Sequence, residues 1–220
     1  MSKYDSLFEN GYYIGDLEEI GVNMNEFNQI CNEVYSIASN NMEENFKYQH
    51  LISDLPHRIN VSEIEERKLY VKNNPEISVI SSCYLLNNNI NTKHLYDYFK
   101  NVVINFIPNV FPNLNKDNIT IHDSIQMYQD GDYQNAHTDG HVGECVVIIY
   151  FSNPSKYNNT GKLEFLEGSF PENVVIDSVN PILGKFSILE LTNHNIRHRV
   201  QKVMGDFIRF SFLGQIGRLG

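Results

Sequence analysis

The sequence is short of cysteine, of basic charge and of long apolar runs, and each shortage removes a class of protein. Its cysteines are Cys31, Cys83 and Cys145. Their number is odd and no two are spaced as C-x-x-C, which argues against a disulfide framework or a thiolate zinc site. Buried thiols in a reducing compartment are expected instead. Lys and Arg total 17 against 27 Asp and Glu, a formal net charge of −10. So acidic a chain gains little from releasing phosphate counterions, and nucleic acid is not expected as a partner. The longest apolar run, Cys145 to Phe151, is too short to span a bilayer, so no membrane association is expected. The start, MSKYDSLFENGYY, has no basic stretch followed by an apolar one. No secretory signal is read there, and the expected location is cytoplasmic. Nothing in the sequence specifies an oligomeric state.

What is present is 220 residues with 41% hydrophobic and 12% aromatic content, enough for one well-buried domain. The expected class is α+β, with residues 1–115 as mostly helical or mixed support and 116–215 as a β core, all in one unit 1–220. Phe27, Ile30, Cys31, Val34, Ile37 and Ala38 fall on one helical face. Leu95, Phe99, Val102, Val103 and Phe106 form a second stripe within a helix over Thr92–Ile107, which Pro108 and Pro112 are expected to end. Ser62 and Glu65 have capping-box spacing, so a short helix is expected there. The second half reads as short strands between Gly, Pro, Asn and Asp: Asn118–Tyr128, Glu144–Ser152, Lys162–Glu167, Val174–Asp177, Lys185–Leu191, Arg199–Val203 and Phe207–Leu213. Such a series predicts a barrel or sandwich, and a small barrel has a mouth where ligands sit.

The sharpest local feature is His137-Thr138-Asp139. Residues two apart on a strand point the same way, so one imidazole and one carboxylate can reach one ion. The third ligand must come from elsewhere, and His198 is chosen over His194. Two histidines and a carboxylate on one side of an ion leave the opposite positions open, an arrangement suited to ferrous iron that binds a co-substrate and dioxygen. His141, two residues past Asp139, is expected beyond the first ligands. His50, His57 and His94 have no supporting context and are read as surface residues.

Around this pair the sequence resembles a known family. Tyr128-Gln-Asp-Gly131-Asp-Tyr133-Gln-Asn-Ala-His137-Thr-Asp139 is similar to the "Y-x-x-G … H-x-D" stretch of iron(II)- and 2-oxoglutarate-dependent dioxygenases of the prolyl 4-hydroxylase-like group. Gly161-Lys-Leu-Glu-Phe165 resembles their "G-G-x-L-x-F" strand, and Pro181-Ile-Leu-Gly184 their "P-x-x-G" strand. His198-Arg-Val200-Gln-Lys-Val203 is similar to "H-x-V-x-x-V", and Gly205…Arg209-Phe-Ser211 to "G-x-R-x-S". The likeness covers roughly residues 118–213 and leaves the first half unmatched. It departs from prolyl hydroxylases at Arg209, where they commonly carry Lys, and at Thr160, where they carry the first glycine. The HTDG context also resembles small amino-acid hydroxylases related to the lysine halogenases.

The resemblance implies a double-stranded β-helix, a jelly-roll or cupin-like core with N-terminal supporting helices. It implies Fe(II) on His137, Asp139 and His198, with 2-oxoglutarate and O2 as co-substrates. Arg209 would hold the distal carboxylate of 2-oxoglutarate, since a guanidinium fork can grip a carboxylate in two hydrogen bonds. Ser211 and Tyr128 would add contacts. With Asp139 in place the expected outcome is hydroxylation, because related halogenases open that position to chloride with a small residue. Strand alternation puts Thr120, His122, Ser124 and Gln126 on the face of Tyr128. His122, Ser124 and Gln126, with Arg197 and Arg199 beside His198, are therefore the expected substrate residues. The expected substrate is a small polar metabolite, a free amino acid. A peptide or protein residue is the alternative, and a non-catalytic metal-binding or sensing barrel the second one.

Overall fold

The computed structural model describes residues 3–52, 55–60, 64–66, 69, 79–140, 143–168, 173–194 and 196–218. Four helices are labelled here: α1 (Asp5–Asn10), α2 (Met24–Asn40), α3 (Met42–Asn45) and α4 (Lys93–Val110). Asn23 starts α2 by accepting the backbone N–H groups of Asn25 and Glu26 at 3.1 and 3.4 Å. The α2 stripe buries Phe27, Cys31 and Val34, as its spacing predicts. Helix α4 runs through Pro108 to Val110, past its expected end. Pro108 lies in the last turn, where its ring removes one ladder bond, while Ile107 and Val110 beside it are buried. The Phe111 N–H then bonds the Ile107 carbonyl at 2.8 Å and closes the helix. Ser62 of the expected capping box lies outside the described residues; Ile64–Glu66 are helical. No helix among the described residues is long and apolar enough to cross a membrane.

Among the described residues, twelve strands form one nearly closed antiparallel sheet. The first half supplies β1 (Tyr12–Asp16), β2 (Phe46–Ile52), β3 (Leu55–Asn60) and β4 (Val79–Leu86). The second half supplies β5 (Ile119–Tyr128), β6 (Tyr133–His137), β7 (Cys145–Tyr150), β8 (Leu163–Glu167), β9 (Val174–Val179), β10 (Lys185–Glu190), β11 (Arg197–Val200) and β12 (Arg209–Arg218). The neighbour order is β1-β10-β7-β12-β5-β4-β6-β11-β8-β9, with β2 and β3 outside that path. One wall is β10-β7-β12-β5 and the other β6-β11-β8-β9. Strand β4 joins them by pairing with both β5 and β6.

The two faces of the first wall explain its composition. Val146, Ile148 and Tyr150 of β7 point into the barrel and meet Leu163, Phe165 and Val200 of the second wall. Cys145, Val147 and Ile149 point the other way and meet Phe99, Val103 and Phe106 of α4. A strand covered on both faces reads as an unbroken apolar run, as Cys145–Tyr150 does. The helices therefore pack on the outside of one wall, and the chemistry-bearing interior lies on its other side.

The four strands of the first half were not expected, nor was β6. Strand β4 pairs with β5 and β6, both beyond helix α4, so their contacts leave little local pattern. Strand β11 begins two residues earlier than expected. Strand β12 extends to Arg218, with Arg209 opposite Tyr128 and Arg218 opposite Ile119. Gly214 and Gly217 mask its second half in the sequence. Gly214 sits where a Cβ would come within 3.1 Å of the Phe212 ring and 3.3 Å of Ile121, a close approach typical of strand glycines.

Candidate metal and co-substrate site

His137 is the last residue of β6 and His198 the second of β11, and the two stand directly opposite in register. Cross-strand partners share a face, so both imidazoles enter the barrel, with ring centroids 4.3 Å apart. Asp139 follows two residues after β6. Its Oδ1 lies 3.5 Å from His137 Nε2 and its Oδ2 3.5 Å from His198 Nε2. The candidate ligand atoms of the three residues all lie within 4.8 Å of one another. Ligands at right angles around an ion about 2.1 Å away would stand roughly 3 Å apart, so a small closure seats one ion.

The protonation chemistry favours a cation there. His137 Nδ1 is 2.8 Å from the Asn135 carbonyl, and His198 Nδ1 is 3.2 Å from the Ile196 carbonyl. A carbonyl only accepts, so each Nδ1 carries a proton and each Nε2 is left to bind an ion. Burial lowers the His198 pKa to about 4, helped by His137 and opposed by Asp139, so the ring is neutral at pH 7. Burial pushes the Asp139 carboxyl up, but the two imidazoles outweigh it and hold the pKa below its ordinary value. Asp139 Oδ2 is buried and has no hydrogen-bond donor. A buried carboxylate oxygen without a donor is costly, and an ion bridging both imidazoles would satisfy it.

A second cluster lies in the same interior. Arg209 opens β12 and is fully buried. Its Nη1 donates to Ser211 Oγ at 2.9 Å, and its Nε is buried without a partner. The guanidinium carbon sits 4.6 Å from the Tyr128 ring centroid and 5.5 Å from that of Tyr150. No carboxylate pairs with it among the described residues. Burial pushes the Tyr128 phenol well above its ordinary pKa and raises Tyr150 to about 12, in each case against the pull of Arg209. Both hydroxyls therefore keep their protons at neutral pH. A buried cation flanked by neutral donors fits a carboxylate.

Gly161 holds this corner open. It has φ +70°, and a Cβ there would meet Val203 Cγ2 at 2.9 Å and Arg209 Cδ at 3.4 Å. Gly161→Ala is expected to lose about 1–3 kcal/mol of stability, from left-handed strain and this crowding, as read by thermal unfolding.

Other expected residues are placed differently. Gln126 and Ser124 stay on the Tyr128 face and form a relay: the Tyr128 hydroxyl donates to Gln126 Oε1 and the Gln126 amide to Ser124 Oγ, each at 3.1 Å. His122 is exposed, opposite Gln215 and about 20 Å along β5 from Tyr128 at the usual strand rise. Arg197 and Arg199 alternate with His198 and take the other face of β11. Arg199 Nε is 2.5 Å from Glu164, while Arg197 Nε is buried without a partner. His194 faces away from the cluster and bonds the Phe8 carbonyl at 2.9 Å. His94 pairs with Glu33 at the surface at 2.7 Å. His141 and the side chains of His50 and His57 lie outside the described residues. Two interior residues were missed. Tyr150 closes an all-apolar strand and looks like core in sequence. Gln134 reaches within 3.1 Å of His137 Nε2 only because of a strand irregularity.

No protein-family model matches the sequence. No curated protein matches it either. Solved structures do match in shape. A 2OG-Fe(II) oxygenase family oxidoreductase from Burkholderia pseudomallei aligns with TM-score 0.60 at 11% identity, over 98% of this chain and 89% of that one. A prolyl hydroxylase from Trichoplax adhaerens, solved with a hypoxia inducible factor peptide fragment, aligns with TM-score 0.58 at 15% identity, over 97% and 86%. A Pseudomonas putida prolyl-4-hydroxylase aligns with TM-score 0.54 at 12% identity, over 98% and 97%. With two facing walls, helices against one of them, and near-complete coverage of these structures, this chain has the double-stranded β-helix fold of the 2-oxoglutarate–iron(II) oxygenases.

Proposed function

We propose that the chain is an Fe(II)- and 2-oxoglutarate-dependent dioxygenase that hydroxylates an unactivated C–H bond of a small polar metabolite, a free amino acid. One observation carries the reading. A two-histidine, one-carboxylate cluster shares an apolar interior with a buried guanidinium that has no acidic partner among the described residues. Each half is incomplete alone, and a metal with a dicarboxylate co-substrate completes both.

His137, Asp139 and His198 would hold the ion from one side and leave the other positions open. Arg209, with Ser211 and Tyr128 beside it, would anchor the far carboxylate of 2-oxoglutarate. Phe165, Tyr150 and Val200 supply dry walls, which strengthen that ion pair and keep water from the reacting carbon. When bound, the iron supplies the oxidising chemistry that turns 2-oxoglutarate, O2 and R–H into succinate, CO2 and R–OH. Gln126 and Ser124 are the polar side chains of this interior best placed to meet a polar substrate.

A small substrate is supported by the closed seam of the barrel. The Tyr12 ring stacks on Phe165 at 4.0 Å, and its hydroxyl donates to Asp177 Oδ2 at 3.1 Å, so β1 reaches across to β9. Phe165 stands opposite His198, so this closure is one strand from the metal ligands. Three free, buried cysteines support a reducing, cytoplasmic setting.

The test is a succinate assay with Fe(II), 2-oxoglutarate and O2 against free amino acids and short peptides. Succinate with one oxygen added to a free amino acid is expected. Turnover of peptides alone would replace the metabolite reading with a peptide hydroxylase. Tight Fe(II) and 2-oxoglutarate binding with no product from any candidate would favour a sensing barrel.

A further inference from the structure

Register between β6 and β11 breaks beside the metal cluster. His137 stands opposite His198, but the next pair is Gln134 with Val200. Three steps on β6 thus match two on β11, the signature of a bulge. On a regular strand, residues three apart point to opposite faces. Here the extra residue turns Gln134 to the face of His137, since both oppose inward residues of β11. Bulges beside active sites commonly re-aim a side chain in this way.

The Gln134 amide Nε2 lies 3.1 Å from His137 Nε2. The other nitrogen of that ring, Nδ1, gives its proton to the Asn135 carbonyl at 2.8 Å. In the neutral ring Nε2 then carries a lone pair, and it is this lone pair that the Gln134 N–H meets. Asp139 Oδ1, at 3.5 Å, is farther from the same nitrogen. The lone pair that would bind a metal is thus occupied by an amide donor. Resting on the proposed metal centre, we infer that Gln134 competes with the ion for His137 Nε2, while the Asn135 carbonyl on Nδ1 keeps the ring in place. Metal loading releases the amide, which then stands free inside the barrel with one donor end and one acceptor end.

Co(II) titration of the metal-free chain, with a chromophoric chelator as competitor, tests this in the wild type, Gln134→Leu and Gln134→Met. Neither substituted side chain can donate to His137. Both variants are expected to bind Co(II) roughly two- to tenfold more tightly, the worth of one net hydrogen bond. A merely structural role for Gln134 predicts weaker binding in the variants. Equal or weaker binding would overturn the inference. Failure of the wild type itself to bind Co(II) would instead overturn the metal centre. Should neither variant fold, the Gln134 side-chain amide resonances of the wild type decide. A clear shift on adding Zn(II) is expected, and amide resonances that stay in place would overturn the inference.

Discussion

Arg209→Met is expected to make the co-substrate-free chain more stable and to abolish its response to 2-oxoglutarate. The guanidinium is fully buried, meets one hydroxyl and two aromatic rings, and has a buried Nε with no partner. Cation–π contacts offset only about 0.5–2 kcal/mol, less than the several kcal/mol of burying a charge without its counter-ion. Met fills similar space without that penalty. A gain of about 1–4 kcal/mol follows by analogy with buried ion pairs replaced by apolar residues. In a chain of this size each kcal/mol is worth about 2–4 °C in Tm. In calorimetry with Mn(II) and no oxygen, 2-oxoglutarate should raise the wild-type Tm by binding the native state and leave that of the variant unchanged. Arg209→Ala should weaken 2-oxoglutarate binding by roughly 2–5 kcal/mol while metal affinity holds. A less stable Arg209→Met chain that still responds to 2-oxoglutarate would mean another cation anchors the co-substrate.

Loss of any one of His137, Asp139 or His198 is expected to weaken Co(II) binding by more than about 100-fold, beyond what removing a supporting hydrogen bond does. The three differ in what else they do. His198 is buried, so His198→Ala should also leave a cavity and lower stability by about 2–4 kcal/mol. Asp139→Ala removes a partly exposed carboxylate with an unpartnered oxygen, and metal-free stability should change little. His194→Ala should keep full Co(II) affinity, because that ring bonds the Phe8 carbonyl away from the cluster. Loss of Co(II) binding in His194→Ala together with its retention in His198→Ala would sink the assignment.

Local chemistry accounts for what could be read without the fold. His137 and Asp139 are two residues apart, a spacing that marked them as a pair, although β6 ends at His137 and Asp139 lies just beyond the strand. The stripes of α2 and α4 are legible because a helix buries every third or fourth residue. The strand series of the second half announced a barrel, although β12 is longer than its glycines suggest and β6 escaped notice. The downstream order of His198, Val200, Val203 and Arg209 pointed to a family pattern, which no spacing rule could have supplied.

Tertiary structure decided the rest, for physical reasons that are not local. Alternation on β5 puts His122 and Tyr128 on one face, but only the strand's length and pairing show that His122 ends at the exposed far end. Arg197 and Arg199 are next to His198 in the chain and turned away from it in space, since neighbours on a strand face opposite sides. Strands β1 and β4 enter the sheet through partners far away in sequence, so their pairing energy is invisible until the chain closes. Gln134 is the sharpest case. The chain itself shows only an imidazole and a carboxylate two residues apart. Only the fold, by slipping one residue of β6 against β11, brought an amide to the same nitrogen, because register is set by the partner strand and not by the residues that it moves.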